Sequence, residues 1–151
     1  MRMIRGRKPA ADDKWILRLI RRELIPLTPR HLRPVWPDAS LKRRLDRSAV
    51  YVWLPDEAHA PRVCGFIAAF ARGGELFVDM LAVDRSYQGH GVGGMLLRKA
   101  EAYGAALGCA VMRLYVNETN RRGIRFYRKH GMTTAWYDAR LESYVMEKRI
   151  G

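Results

Sequence analysis

The sequence predicts an α+β fold, a mixed central sheet sandwiched between helices, and three observations carry that prediction. Three runs rich in strand formers, 48–55, 62–70 and 75–83, succeed one another through short turns, which makes an N-terminal antiparallel meander. Two stretches with helical spacing precede the meander. After it, helices alternate with strands, the arrangement that joins parallel strands. The resulting order is β-α-α-β-β-β-α-β-α-β-β. At 151 residues the chain is expected to form a single domain spanning 1–151, with 48% apolar residues to supply a core.

Taken in order, 3–10 reads as a short first strand, poor as a buried one because Arg5, Arg7 and Lys8 interrupt it. Asp12 or Asp13 is expected to cap a helix in which Trp15, Ile16, Leu19, Ile20 and Leu24 share a face. Pro26 and Pro29 end it, and the proline-rich run to Pro37 is a loop with room for a turn of helix. A second short helix starts at Asp38 or Ser40 and carries Leu41 and Leu45 inward. The meander comes next, with a turn expected over 56–61. A helix over 92–107 offers Met95, Leu96, Ala100 and Tyr103 to the core and stops at Gly108. A strand over 109–117 leads to a helix capped by Asn117 or Asn120, then Gly131 and two final strands.

Composition narrows the function classes. No apolar run reaches the ~18 residues a membrane span requires, and with arginines but no apolar core before Trp15 a secretory signal is not expected. Cys64 and Cys109 sit in apolar contexts like buried thiols of a reducing compartment, so a cytoplasmic location is expected. The four histidines, His31, His59, His90 and His130, share no ligand spacing, so no metal is expected. The formal net charge is +13, of which +9 lies in residues 1–50. Such a surface suits acidic partners, but the basic residues are scattered and not interleaved with stacking aromatics. That argues for a solvated face and against nucleic acid.

The densest signal is 75–108, where an apolar strand runs into a glycine-rich loop that opens a helix. Backbone N–H groups converge there ahead of a helix dipole, which suits a phosphate or pyrophosphate. Gly89, Gly91 and Gly94 formally satisfy G-x-G-x-x-G. A Rossmann reading fails because 84–88 separate the strand from the first glycine and the upstream pattern is a meander. No Gly-Lys-Ser/Thr closes the loop, so it is not a P-loop.

Parsed instead as Gln88-x-x-Gly91-x-Gly93, the loop resembles the signature of the GCN5-related N-acetyltransferase (GNAT) superfamily. A second element agrees: Asn120 near a helix start, Tyr127 seven residues on, then Gly131-Met132. The motifs cover 76–132, and the element order matches over the whole chain. The resemblance implies a GNAT-like αβα sandwich and an acyl-CoA-dependent N-acyltransferase that moves acetyl from acetyl-CoA to an amine. The coenzyme A pyrophosphate would lie on Gln88, Gly89, His90, Gly91, Val92, Gly93 and Gly94. The pantetheine arm would run along Leu81, Ala82 and Val83, between strands that splay apart, with Asn120 and Tyr127 beside it. Arg85 could add a charge-assisted contact, or simply be solvated.

For the chemistry, the resemblance assigns Tyr127 as general acid toward the departing thiolate; a packing tyrosine is the plainer reading. Asn120 would bind the cofactor, cap its helix, or both. An N–H near Leu81 would face the oxyanion if the strand carries a bulge. Ribosomal-protein acetyltransferases place a glutamate where this chain has Tyr115. Other relatives place a base on the strand before the loop, which makes Asp79 and Glu75 the candidate bases. An ion pair with an arginine is an equal reading of Asp79, and a plain strand-end charge is a reading of Glu75. On a regular strand Glu75, Phe77, Asp79 and Leu81 share one face and Leu76, Val78 and Met80 the other. The acceptor, a small-molecule or peptide amine, would meet the first two helices and last hairpin, with His31, Trp36, Tyr51, Trp53, Trp136 and Tyr137 as wall candidates or simply as core. The alternative is a non-catalytic basic module that binds nucleic acid or senses acyl-CoA. Monomer and homodimer are both compatible.

Overall fold

The computed structural model describes residues 3–33, 35–55 and 62–151. The expected turn over 56–61, with His59, lies outside the described residues. Seven strands form one sheet in the order β1-β2-β3-β4-β5-β7-β6. They are β1 Met3–Gly6, β2 Ala49–Leu54, β3 Gly65–Arg72, β4 Glu75–Val83, β5 Val111–Asn117, β6 Thr133–Asp138 and β7 Ser143–Arg149. The helices are α1 Pro9–Leu19, α2 Asp38–Asp46, α3 Val92–Ala106 and α4 Arg121–Lys129. The element order is the one read from sequence. α1 and α2 cover one sheet face around Ile16, Ile20, Leu41, Leu45 and Phe66. α3 and α4 cover the other around Leu96, Ala100, Ile124, Met112 and Met146.

The charged first strand is made tenable by pairing. β1 is an edge strand, antiparallel to β2. Arg5 grips Asp12 through two contacts of 2.7 and 2.9 Å, and Arg7 grips Asp13 at 2.7 and 2.8 Å while reaching Asp46 at 2.9 Å. Asp12 and Asp13 are therefore buried inside α1 and not at its cap, which corrects the sequence expectation. The helix begins earlier, at Pro9, whose missing N–H costs nothing in a first turn. Lys8 is the cap residue, and its N–H donates to the Asp12 carboxylate at 2.6 Å. Burial pushes the Asp12 carboxyl up, but the Arg5 contact, the Lys8 amide and their charges outweigh it, and the net direction is down.

α1 passes into a π-helical turn, Ile20–Leu24, then a 3-10 turn, Ile25–Leu27. A π-turn widens the helix by one residue and re-aims the chain beyond it. A second 3-10 turn, Arg30–Leu32, fills the proline-rich connection. Arg21 fixes the far end of this loop by donating to the Trp36 carbonyl at 3.2 Å and pairing with Asp38.

β4 and β5 are parallel but bonded only over Glu75–Phe77 and Val111–Arg113. Beyond that point the two strands are not paired. β4 also carries a bulge: Ala68 faces Met80 and Ala69 faces Val78, so Asp79 is the extra residue. The bulge corrects the facing read from sequence. Leu76 and Val78 share a face as expected, the α3/α4 side, but Met80, grouped with them on a regular strand, packs with Ala82 on the α1/α2 side. Leu81 and Val83 turn to the α3/α4 side instead.

Asp12→Asn is expected to destabilise the fold by about 3 kcal/mol, because it leaves Arg5 with a broken, largely buried pair. The stabilisation from Asp12 is present above its unfolded pKa of roughly 4 and is lost as pH falls through the lower folded value. Chemical denaturation at pH 7 and pH 2.5 checks both: the variant's deficit should be large at pH 7 and shrink in acid.

Candidate active site

The open side of the β4–β5 fork leads into a cavity of about 600 Å³. Its floor is Leu81, Ala82 and Val83, its rim the loop from Gln88 to Gly94, and its far wall α4 with Asn120, Phe126 and Tyr127. Of the residues expected to hold a cofactor, all but His90 line this cavity; His90 is exposed and outside the lining.

The glycines divide into two jobs. Gly89 and Gly91 have φ of +81° and +82°, with open space where a Cβ would stand, so they are needed for backbone shape. Gly91 is the N-cap of α3 and turns its first amides toward the cavity mouth. Gly93 and Gly94 are needed for contact. A Cβ on Gly93 would stand 3.0 Å from the Phe126 ring, and one on Gly94 would stand 2.6 Å from His130. These close approaches seat α4 on α3.

The loop is held from beneath. The Gln88 amide donates to the Val83 carbonyl and to Glu23, both at 2.9 Å. Gln88 thus ties loop, strand end and the π-turn together. Asp84 accepts from the Ser86 N–H at 2.9 Å and from Arg62 at 3.1 Å. Burial favours its neutral form, but those donors outweigh it and hold its carboxyl below the usual range. Tyr87 packs edge-on against buried Trp53, with ring centres 5.1 Å apart. Glu23 is a site residue that sequence reasoning missed, because the π-turn that presents it has no recognisable signature.

The cavity is electropositive. Arg22, Arg85, Arg122 and Lys129 line it with one acid, Glu23. Arg85 is mostly exposed, 3.9 Å from Glu23. Burial and the nearby Arg98, Lys129 and Lys148 push the pKa of His130 down, toward its neutral form. Cationic rim, glycine cradle and apolar floor together fit a pyrophosphate with an extended arm.

Asn120 caps α4, accepting from the Gly123 N–H at 3.0 Å. Tyr127 lies half-buried on the cavity wall, and burial pushes its hydroxyl up to about 12. A second cavity, of about 210 Å³, lies on the other side of these residues. The two share Leu27, Leu81, Asn120 and Tyr127.

The candidate bases part company. Asp79, the bulge residue, lines the smaller cavity, where the Arg44 guanidinium engages its carboxylate at 2.6 and 3.3 Å. Glu75 lines neither cavity; it pairs with Arg113 at the closed end of the fork, about 20 Å along the strand from Leu81. The aromatic walls also divide. Trp36 lines the smaller cavity. Tyr51 packs on Tyr103 and Trp53 is buried, so both are core. His31 pairs with Glu142. Trp136 and Tyr137 are exposed on edge strand β6 and line neither cavity. Cys64 and Cys109 are free and buried, and burial raises the Cys64 thiol. Among the described residues there is no metal-ligand cluster and no helix long and apolar enough to cross a membrane.

Residues 17–132 match the model of the acetyltransferase (GNAT) family. The chain is 27% identical over 107 residues to a thialysine N-epsilon-acetyltransferase from Bos taurus, a match covering 64% of this chain and 63% of that one. Among solved structures it is similar to the PaiA N-acetyltransferase of Thermoplasma acidophilum in complex with coenzyme A. The TM-score is 0.85 at 20% identity, over 99% of both chains. It is also similar to Ard1 of Thermoplasma volcanium, with a TM-score of 0.77 at 23% identity over 99% of this chain and 98% of that one.

Gly91→Ala is expected to cost roughly 1–2 kcal/mol of stability through its left-handed φ and to weaken coenzyme A binding at least about tenfold, since the first α3 amides re-aim. Gly108→Ala has the same φ of +82° but lies outside the cavity. It should cost similar stability and leave coenzyme A affinity unchanged. Thermal unfolding and calorimetric titration of both variants make the comparison.

Proposed function

The chain belongs to the acetyltransferase (GNAT) family, and we propose that it transfers an acetyl group from acetyl-CoA to a primary amine while both are bound. The observation that carries this is the meeting of two cavities at Leu81, Asn120 and Tyr127. The larger fits the donor and the smaller the acceptor. The activity of the Bos taurus relative, N-epsilon acetylation of thialysine, supports an amine acceptor.

Acetyl-CoA supplies an activated thioester, so the amine nitrogen gains a C–N bond as the C–S bond breaks, and one proton passes from nitrogen to sulfur in the net reaction. The residues here manage charge and protons. The Leu81 N–H, just past the Asp79 bulge, is the proposed donor to the carbonyl oxygen as negative charge grows there. The Gln88–Gly94 loop and the cationic rim hold the diphosphate, and the unpaired edge of β4 takes the amide-rich arm in the manner of an added strand.

Tyr127 is the proposed donor to sulfur. Its hydroxyl, pushed up to about 12, stays protonated at neutral pH. A thiol titrates near ~8.5, so complete transfer from Tyr127 to a thiolate is uphill by about 5 kcal/mol. Tyr127 therefore acts by a hydrogen bond that strengthens as the thiolate forms, and the proton shed by the amine balances the sulfur. Asp79, the candidate base that reaches the smaller cavity, faces the amine side.

Calorimetric titration with acetyl-CoA, and then thiol release with an amine panel, tests the reading. Binding of acetyl-CoA and amine-dependent thiol release are expected; absence of binding overturns the proposal. Tyr127→Phe should lower kcat by about 10²-fold with acetyl-CoA Kd within about twofold. An unchanged kcat would remove Tyr127 from the mechanism.

A further inference from the structure

We propose that the smaller cavity selects an acceptor of amino-acid type: a small primary amine with a free carboxylate two or three bonds away. Its carboxylate sits on Arg44 and its reacting nitrogen beside Asp79. This rests on the acetyl-transfer reading and names the acceptor that reading leaves open.

Arg44 and Asp79 are the only charged side chains lining the cavity among the described residues. They are in direct contact, so a cationic and an anionic recognition point stand side by side. A ligand that satisfies both must carry opposite charges equally close together, as an α- or β-amino acid does. The pair leaves capacity for such a ligand. Its two contacts use Nε and Nη2 of the guanidinium, and Nη1 lies outside them. Arg44 and Asp79 keep 33% and 20% of their side-chain surface exposed, so the cavity reaches both.

The guanidinium is fixed from behind. Arg44 lies over the Trp36 ring at 4.9 Å, and the Trp36 carbonyl is held by Arg21. A planar fork so braced suits a carboxylate. Asp79 is the β4 bulge residue and stands just ahead of Leu81, where the two cavities meet. An amine on Asp79 is therefore beside the thioester end of the donor cavity. The volume, about 210 Å³, equals that of about seven liquid waters, which suits a molecule of amino-acid size. A polyamine would press a second cation on Arg44 in a chain of net charge +13. A peptide N-terminus would bring an amide where Arg44 offers a partner for an anion.

The test uses matched acceptors with the full-length chain: alanine, β-alanine and phenylalanine against ethylamine, propylamine and phenethylamine, and against the three carboxamides. Thiol release with acetyl-CoA is measured, and each compound is also titrated into the coenzyme A-saturated protein by thermal shift. At least tenfold higher kcat/KM for a carboxylate-bearing member over its partners is expected, with the acetyl group on the amine beside the carboxylate. Arg44→Met should raise KM for that acceptor at least tenfold and erase the preference, with acetyl-CoA Kd within twofold; Arg44→Lys should restore part of it. Amines or carboxamides equal to the amino acids in turnover and thermal shift would overturn the inference, as would a preference that survives Arg44→Met. Acetyl-CoA titration of the same protein reports separately on the donor reading, and the thermal shifts compare the acceptors even if no thiol is released.

Discussion

The parting of two parallel strands beyond Phe77 and Arg113 is the constraint on which the rest of the structure depends. A strand that leaves its partner exposes N–H and C=O groups that must find water or a ligand. Here they open into a cavity with a cationic rim, so what would be a defect in a core becomes a template for an extended ligand. The fork needs a firm closed end, and Arg113 supplies it by pairing with Glu75 on β4 and with Glu147 on β7 at 3.0 Å. Glu75, a candidate base from sequence, is instead part of the clamp.

Two further features turn the fork into a site. The bulge at Asp79 reverses which residues of β4 face which layer, sending Met80 toward α1 and α2 and Leu81 toward α3 and α4. It also projects Asp79 toward α2, where Arg44 receives it. The second feature is the close seating of α4 on α3 through Gly93 and Gly94, which sets Tyr127 opposite Leu81. Gln88 then couples strand end, glycine loop and π-turn in one hydrogen-bonded node. A change at any of these three places moves the same junction.

Much of this was legible in the sequence because it is local. Runs of strand formers between short turns named β2 to β4, helical spacing named α1, cap or stop residues marked α2 to α4, and glycine spacing placed the loop between strand and helix. Asn120 and Tyr127 are placed by the family resemblance, seven residues apart along one helix. What could not be read depends on residues brought together from afar. The pairing of Arg5 and Arg7 with Asp12 and Asp13 made a charged strand tenable and moved the start of α1. A bulge has no composition of its own, so the facing of Met80 was misread by strict alternation. The Asp79–Arg44 pair spans 35 residues, and the Glu23–Gln88 contact spans 65. Tyr51 and Trp53 stay open between groove wall and core in the sequence, because aromatic type alone does not tell a lining residue from a core one.

Amide hydrogen exchange with and without coenzyme A tests most directly that the open fork is the donor site. Slowed exchange confined to the free half of β4, 79–83, and to the loop and first turn of α3, 88–95, is the expected result. Unchanged exchange over those segments, or protection appearing instead along β1 or β6, would contradict it.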